Sequence, residues 1–311
     1  MDAVGVVLAG RERLTLSHLH LFAPEPDTDI VVETEFSGIS TGTERLFWSG
    51  NMPNFPGMGY PLVPGYETVG RISFAGPKSG HRKGERVFIP GSKCFRDVRA
   101  LFGGAASRIV VPGKRAIPVD ERWGESAVLL ALAATAQHAL SAGQVPDLIV
   151  GHGVLGRLLA RLCLLTGGET PTVWETREDR RSGATGYRVI APDEDTRRDY
   201  RCICDVSGDA GLLDRLISHL APGGEVVLAG FYSEPLRFSF PPAFMREARI
   251  RVAAEWREPD LVAVSTMLND GRLSLDGLVT HRCDASDAQD AYRTAFEEPA
   301  CLKMVLDWRA C

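Results

Sequence analysis

The stretch Gly151-His152-Gly153-Val154-Leu155-Gly156 narrows what this chain can fold into more than any other feature. A G-x-G-x-x-G is a weak signal by itself, because glycine is common here. Its setting gives it force: it follows the apolar run Asp147-Leu148-Ile149-Val150 directly and opens the helical pattern Arg157-Leu158-Leu159-Ala160. In that arrangement Gly151 permits a tight turn, Gly153 lets a pyrophosphate approach the backbone, and Gly156 lets the helix lie close on the strand. Val154 and Leu155 start the helix, whose free N–H groups and positive dipole end suit phosphates. An acidic residue is expected about 20 positions on to accept hydrogen bonds from the adenosine ribose, and Glu175 closes Thr172-Val173-Trp174-Glu175. A carboxylate there repels a 2′-phosphate, so NAD is favoured over NADP. Arg177, Arg180 and Arg181 lie just beyond, either to pair with such a phosphate or to form a solvated basic turn.

Around this motif strands and helices alternate: a helix over 126–142, a strand over 147–150, a helix over 154–166 and a strand over 170–175. Further on come a strand at 202–206, a helix at 211–220, a turn at Pro222-Gly223-Gly224, and strands at 225–230 and 249–254. Helices at 260–269 and 287–297 and a closing strand at 301–307 complete the pattern. Residues before about 121 instead show short β-branched runs at 30–35, 67–74, 86–89 and 106–111, punctuated by Gly and Pro. The chain therefore reads as α/β: a Rossmann-type doubly wound parallel sheet over 122–256, preceded by a small β domain over 1–121. At 311 residues, two domains are the natural expectation.

Composition excludes several classes. The net charge of −5 is spread in mixed signs without the basic stripe a phosphate backbone requires, so nucleic acid is not an expected partner. The longest apolar run, 127–136, is about half of the ~20 residues that cross a bilayer, and the N-terminus lacks a signal-peptide pattern. Seven scattered cysteines with no CxxC pair argue for free thiols in a reducing compartment, hence a cytoplasmic location. Cys202 and Cys204 alternate along one strand and read as small buried hydrophobes.

Five segments occur in an order that resembles the medium-chain dehydrogenase family over nearly the whole chain. They are Gly38-Ile39-Ser40-Thr41-Gly42-Thr43-Glu44, Pro64-Gly65-Tyr66-Glu67-Thr68-Val69-Gly70, Gly84-Glu85-Arg86-Val87, Asp205-Val206-Ser207-Gly208 and Leu220-Ala221-Pro222-Gly223-Gly224-Glu225. The resemblance implies a GroES-like β catalytic domain, with 257–311 returning to complete it, and places Ser207 and Thr135 beside the cofactor. Thr135 then lies near the nicotinamide, although helix packing explains it equally. Zinc members of the family carry a cysteine in the first segment, a histidine in the second and four cysteines in a separate lobe. Here those places hold Ser40 and Tyr66, and only Cys94 lies near the lobe. Four N or S ligands for structural zinc are missing, and hydroxyls are poor zinc ligands at neutral pH, so no metal is expected.

The strings SGISTGTE, PGYETVG and GHGVLGRLLARL resemble a zinc-free branch that acts on tetrapyrroles. That resemblance implies NAD-dependent oxidation of a 3-(1-hydroxyethyl) group on a bacteriochlorophyllide to 3-acetyl, and a possible homodimer. Tyr66 is then the residue expected to contact the hydroxyl, with Ser40, Thr41 and Thr43 as relay hydroxyls and Glu67 as the carboxylate that orients or accepts the proton. A tyrosine titrates near ~10, so a positional role for Tyr66 competes with that of a base. His138 reads as a satisfied core histidine, His152 as a solvent-facing loop side chain, and His281 has no assigned role. The segment from Phe47 to Tyr60, dense in aromatic residues, Met, Gly and Pro, either covers a flat pigment or packs beneath its own loop. Two rival readings remain: a zinc-free NADPH-dependent enone or quinone reductase, and a non-catalytic nucleotide-binding protein.

Overall fold

The computed structural model describes residues 1–54, 56–141 and 143–311. Phe55 of the aromatic loop and Ala142, the last residue of the helix expected over 126–142, lie outside the described residues. The chain divides into two compact units, Met1–Ala131 with Leu278–Cys311, and Leu132–Gly277.

The first unit opens with a hairpin, β1 (Asp2–Gly10) and β2 (Arg13–His20), followed by the long β3 (Asp29–Ile39). A short helix α1 (Thr43–Ser49) precedes β4 (Leu62–Val63), β5 (Thr68–Ala75), β6 (Arg86–Ile89), β7 (Arg99–Ala100), β8 (Arg108–Pro112) and β9 (Ile117–Pro118). A 3-10 segment, Glu121–Leu129, broken by non-helical angles at Gly124, then leads into α2 (Leu130–Ser141). The helix expected over 126–142 is thus 3-10 for its first turn, because Gly124 resets the backbone just upstream.

In the second unit β10 (Leu148–Val150), α3 (Val154–Leu165), β11 (Thr172–Trp174), β12 (Arg188–Ile190), β13 (Tyr200–Asp205), α4 (Leu213–His219), β14 (Leu220–Leu228), α5 (Phe240–Met245), β15 (Arg249–Val252) and α6 (Glu258–Asn269) follow in order. The strands form one sheet in the order β12-β11-β10-β13-β14-β15 with every pairing parallel, the doubly wound arrangement expected from the motif. Pro222-Gly223-Gly224 does not end a strand: β14 runs through it, and the register against β13 shifts from Tyr200↔Leu220 to Cys202↔Glu225, so the extra residues are absorbed as an irregularity within the ladder. Cys202 and Cys204 are buried, as a pair of small core side chains. The units part at 131/132 and 277/278, whereas the sequence suggested 121/122 and 256/257. Asp260 at the start of α6 accounts for the later second boundary, since it bonds His138 Nδ1 (2.8 Å) and Ser141 Oγ (2.9 Å), both on α2. These bonds also satisfy His138.

The chain returns to the first unit with β16 (His281–Asp284), α7 (Ala288–Glu297) and β17 (Met304–Asp307). There β17 pairs antiparallel with β3 (Met304↔Ile39) in a sheet ordered β16-β17-β3-β5-β6-β9, with β8 also on β3. Trp48, Met52, Met58 and Tyr60 pack against the core of this unit, so much of the aromatic loop lies inward.

Candidate active site

The end of β3 and the start of β5 bring two of the expected residues together. Ser40 Oγ and Tyr66 Oη are 2.7 Å apart, and the Tyr66 ring meets Phe102 edge-on at 5.3 Å. The Thr43 N–H reaches Ser40 Oγ at 3.4 Å, and the Thr43 hydroxyl interacts with Tyr66. Thr41 is half-buried in the turn before α1. Burial and the nearby Glu67 charge push the Tyr66 phenol well above its ordinary value, so it stays protonated at neutral pH. As a hydrogen-bonding hydroxyl Tyr66 fits the site; as a base it does not.

Glu67 is fully buried and already committed. Lys303 Nζ donates to its two oxygens at 2.7 and 2.9 Å and to the Ile39 carbonyl at 3.1 Å, which uses all three ammonium donors. Burial pushes the Glu67 carboxyl up while the Lys303 ammonium pulls it back. Gly38 leaves room for this pair: a Cβ built there would lie 2.1 Å from Glu67 Oε2. A second buried carboxyl, Glu44 on α1, accepts from the Ser40 N–H (3.2 Å) and from Tyr292 Oη (2.6 Å) on α7. Sequence reading missed Lys303, Glu44 and Tyr292. A lysine inside the apolar run Cys301-Leu302-Lys303-Met304-Val305 was the available signal, since a charge there needs a buried partner.

In the other unit Gly151 (φ 104°) ends β10 and α3 begins at Val154, capped by Gly153. A Cβ on Gly153 would meet nothing within 4 Å, whereas one on Gly156 would lie 1.9 Å from the Gly151 carbonyl oxygen. The first turn of α3, with Val154, Leu155 and Gly156, therefore presents backbone N–H groups beside open space while packing tightly on its own strand. Glu175 lies just past β11, largely buried, accepting from the N–H of His152 (3.1 Å) and of Arg177 (2.9 Å). At the end of β13, Asp205 accepts from the Ser207 N–H and hydroxyl (2.9 and 2.7 Å) and from Tyr232 Oη (2.9 Å). Thr135 is half-buried on α2.

His152 does not face solvent. Its ring is buried, with Nδ1 2.7 Å from the Arg180 carbonyl and Nε2 2.8 Å from Tyr187 Oη. Only Nδ1 can donate to a carbonyl, so Nε2 accepts from the tyrosine, and burial holds the neutral ring down at about 4. Arg157 reinforces the same turn through the His152, Arg180 and Ser182 carbonyls. The loop is thus tied by a buried histidine through two side-chain hydrogen bonds.

Comparison with known proteins fits this geometry. The alcohol dehydrogenase GroES-like domain matches residues 26–121. The chain is 56% identical to the 2-desacetyl-2-hydroxyethyl bacteriochlorophyllide A dehydrogenase of Cereibacter sphaeroides, across 100% of this chain and 99% of that one. It is 54% identical to the protein of the same name from Rhodobacter capsulatus, across 99% of each. The chain belongs to the bacteriochlorophyllide dehydrogenase branch of the medium-chain dehydrogenases. Two solved structures share the fold: an Escherichia coli enzyme described as a short chain alcohol dehydrogenase and complexed with NADH (TM-score 0.82, 21% identity, 98% and 99% covered), and a Sinorhizobium meliloti dehydrogenase bound to NADP (0.81, 20%, 99% of each).

In this member of the branch the residues at the former ligand positions do not suit zinc. The hydroxyls of Ser40 and Tyr66 bond each other, Glu67 is spent on Lys303, and Cys94 is a buried core thiol pushed up by burial. Among the described residues no group of three His, Cys, Asp or Glu side chains could hold a metal ion. The dinucleotide loop, by contrast, suits a nicotinamide dinucleotide, with open space at Gly153 and a carboxylate at Glu175. No helix among the described residues is long and apolar enough to cross a membrane.

Proposed function

We propose that this chain oxidises the 3-(1-hydroxyethyl) group of a bacteriochlorophyllide to 3-acetyl, with NAD as hydride acceptor and without zinc. The names of its two full-length relatives support the substrate. The observation that carries the mechanism is the Ser40–Tyr66 hydroxyl pair, 2.7 Å apart where zinc relatives place ligands. NAD, when bound, supplies the electrophilic nicotinamide carbon that takes the hydride. Ser40 and Tyr66 hold the carbinol oxygen, and the carbinol proton passes into their hydroxyls and on through Thr43 and Thr41 toward solvent. Each hydroxyl takes one proton as it releases another, so none needs to ionise. Positive charge developing at the carbinol carbon spreads into the macrocycle, which lessens the need for a metal-stabilised alkoxide. Glu67 fixes the strand beneath the pair through Lys303 and is not the proton acceptor.

Gly151, Gly153, Val154, Leu155 and Gly156 bind the pyrophosphate in this reading, Glu175 the adenosine ribose, and Thr135 and Ser207 flank the nicotinamide end. NAD over NADP is supported by the arginines nearby. Arg177 is paired with Asp179 at 3.0 Å, and Arg181 donates to the Glu175 and Thr176 carbonyls, so neither is held ready for a 2′-phosphate. A homodimer belongs to the same proposal, supported by the edge strand β15, where Val252 is 71% exposed, and by the exposed Phe244 and Met245 of α5. Seven cysteines, none of them in a disulfide, support a cytoplasmic location.

The test is incubation with NAD and 3-(1-hydroxyethyl) bacteriochlorophyllide a. NADH absorbance should rise together with a red shift of the pigment, because the new carbonyl extends its conjugation. If NAD binds and neither signal develops, the assignment fails.

A further inference from the structure

Glu44 and Tyr292 are buried polar groups that the reaction as described does not use. Glu44 stands in the first turn of α1 with no exposed surface. It fastens Ser40 twice, because its carboxylate accepts the Ser40 N–H (3.2 Å) and its own N–H donates to the Ser40 carbonyl (3.1 Å). The preceding carbonyl, Ile39, is held by Lys303 (3.1 Å). The backbone of Ser40 is therefore fixed on each side, and its Oγ is left to meet Tyr66. The other Glu44 oxygen accepts from Tyr292 (2.6 Å), which locks the carboxyl to α7. We infer that Glu44 is a positioning residue: anchored by Tyr292, it aims the Ser40–Tyr66 hydroxyl pair at the carbinol. This rests on the reading that those two hydroxyls hold the substrate.

A glutamine at 44 could accept from the Ser40 N–H through its amide oxygen, but its NH2 cannot accept from the buried Tyr292 hydroxyl, whereas a carboxylate accepts from both. The ionised form of Glu44 is therefore the one that holds Ser40 and α7 together. Burial raises the Glu44 carboxyl to about 7, against the pull of the Tyr292 and Ser40 hydrogen bonds. Glu67 from β5 opposes its charge and Lys303, just before β17, favours it, while Tyr66 faces it from beyond Ser40. Tyr66 is neutral on either side of this pH, so what changes when Glu44 ionises is how firmly the carboxyl accepts from Ser40 and Tyr292, and with it the aim of the pair.

Two measurements test this on the full chain, with the variants Glu44→Gln, Tyr292→Phe, Ser40→Ala and Tyr66→Phe. Infrared difference titration needs no substrate. The wild type should show one buried carboxyl changing state near pH 7, absent in Glu44→Gln and moved to higher pH in Tyr292→Phe, which loses a bond that favours the anion. With NAD and the hydroxyethyl pigment, kcat/KM should show a limb near the same pH. Glu44→Gln should lose that limb and about tenfold in kcat, with KM for NAD unchanged, and Tyr292→Phe should displace the limb upward. Wild-type kcat and an unaltered limb in Glu44→Gln, or no carboxyl titrating near 7, would overturn the inference. If Ser40→Ala and Tyr66→Phe lose about 100-fold while Glu44→Gln behaves as wild type, the site reading stands and only the role of Glu44 falls. Full turnover in Ser40→Ala and Tyr66→Phe removes the site reading, and the role of Glu44 with it.

Discussion

Lys303 holds two carboxylate oxygens and a carbonyl in a place where water does not reach, so its worth is best judged by what its removal leaves behind. Desolvating both ions costs nearly what their attraction returns, and the intact pair contributes little net stability. Removing one partner is different, since Glu67 then stays buried and charged. Lys303→Ala should destabilise the protein by about 3–5 kcal/mol in urea unfolding. The paired change Glu67→Gln with Lys303→Met should recover most of that loss. If the single variant costs no more than a surface substitution, the pair does not matter in the way its geometry implies. Ser40 and Tyr66 could be picked out as candidates because they stand inside recognisable strings. Their supports could not, because a lysine in an apolar run signals that a buried partner exists without saying that it lies 236 residues away.

At the scale of elements, the join between β10 and α3 is set by a single absent side chain. Gly156→Ala would put a methyl group 1.9 Å from a backbone oxygen that cannot swing aside, so α3 must lift from its strand. The expected result is a loss of about 1–3 kcal/mol in stability and at least about tenfold weaker NADH binding, read by fluorescence titration. That join was legible in the sequence because strand, glycines and helix are contiguous. The parallel sheet was legible for the same reason, through strands such as β10 and β13 that lie close to their predicted bounds. The hairpin β1–β2 was not: leucine falls at 14, 16 and 19, so the alternation of Arg13–His20 breaks at Ser17-His18 and the strand is evident only where β1 pairs with it. Neither was β12, whose three residues are too few to show a period. The inward-facing His152 escaped because a loop histidine is polar by type, and only Tyr187 and the Arg180 carbonyl make its burial tolerable.

Across the whole molecule the two compact units carry opposite proton linkages. In the first, Glu44 is raised from 4.5 to about 7, so the native state keeps a proton that the unfolded chain has released. The stability it contributes is fully present below ~4.5 and is lost as pH rises to about 7, of order 3 kcal/mol. In the second, His152 is lowered from 6.5 to about 4, so the unfolded chain takes up a proton that the native state refuses. That stability is present above ~6.5 and is lost as pH falls to about 4, again of order 3 kcal/mol. Native-state hydrogen exchange should therefore report opposite slopes across this window for β3 and β17 on one side and β10 and β13 on the other. Glu44→Gln should flatten the first slope and His152→Gln the second; unchanged slopes in both would discard the linkage. The order of the chain has a further consequence, in time. Residues 132–277 are contiguous and can fold as soon as they are made, but β3 waits for β17, and Glu44 and Glu67 wait for Tyr292 and Lys303. A growing chain can complete its dinucleotide fold while the Ser40–Tyr66 pair still lacks the supports that arrive with Tyr292 and Lys303.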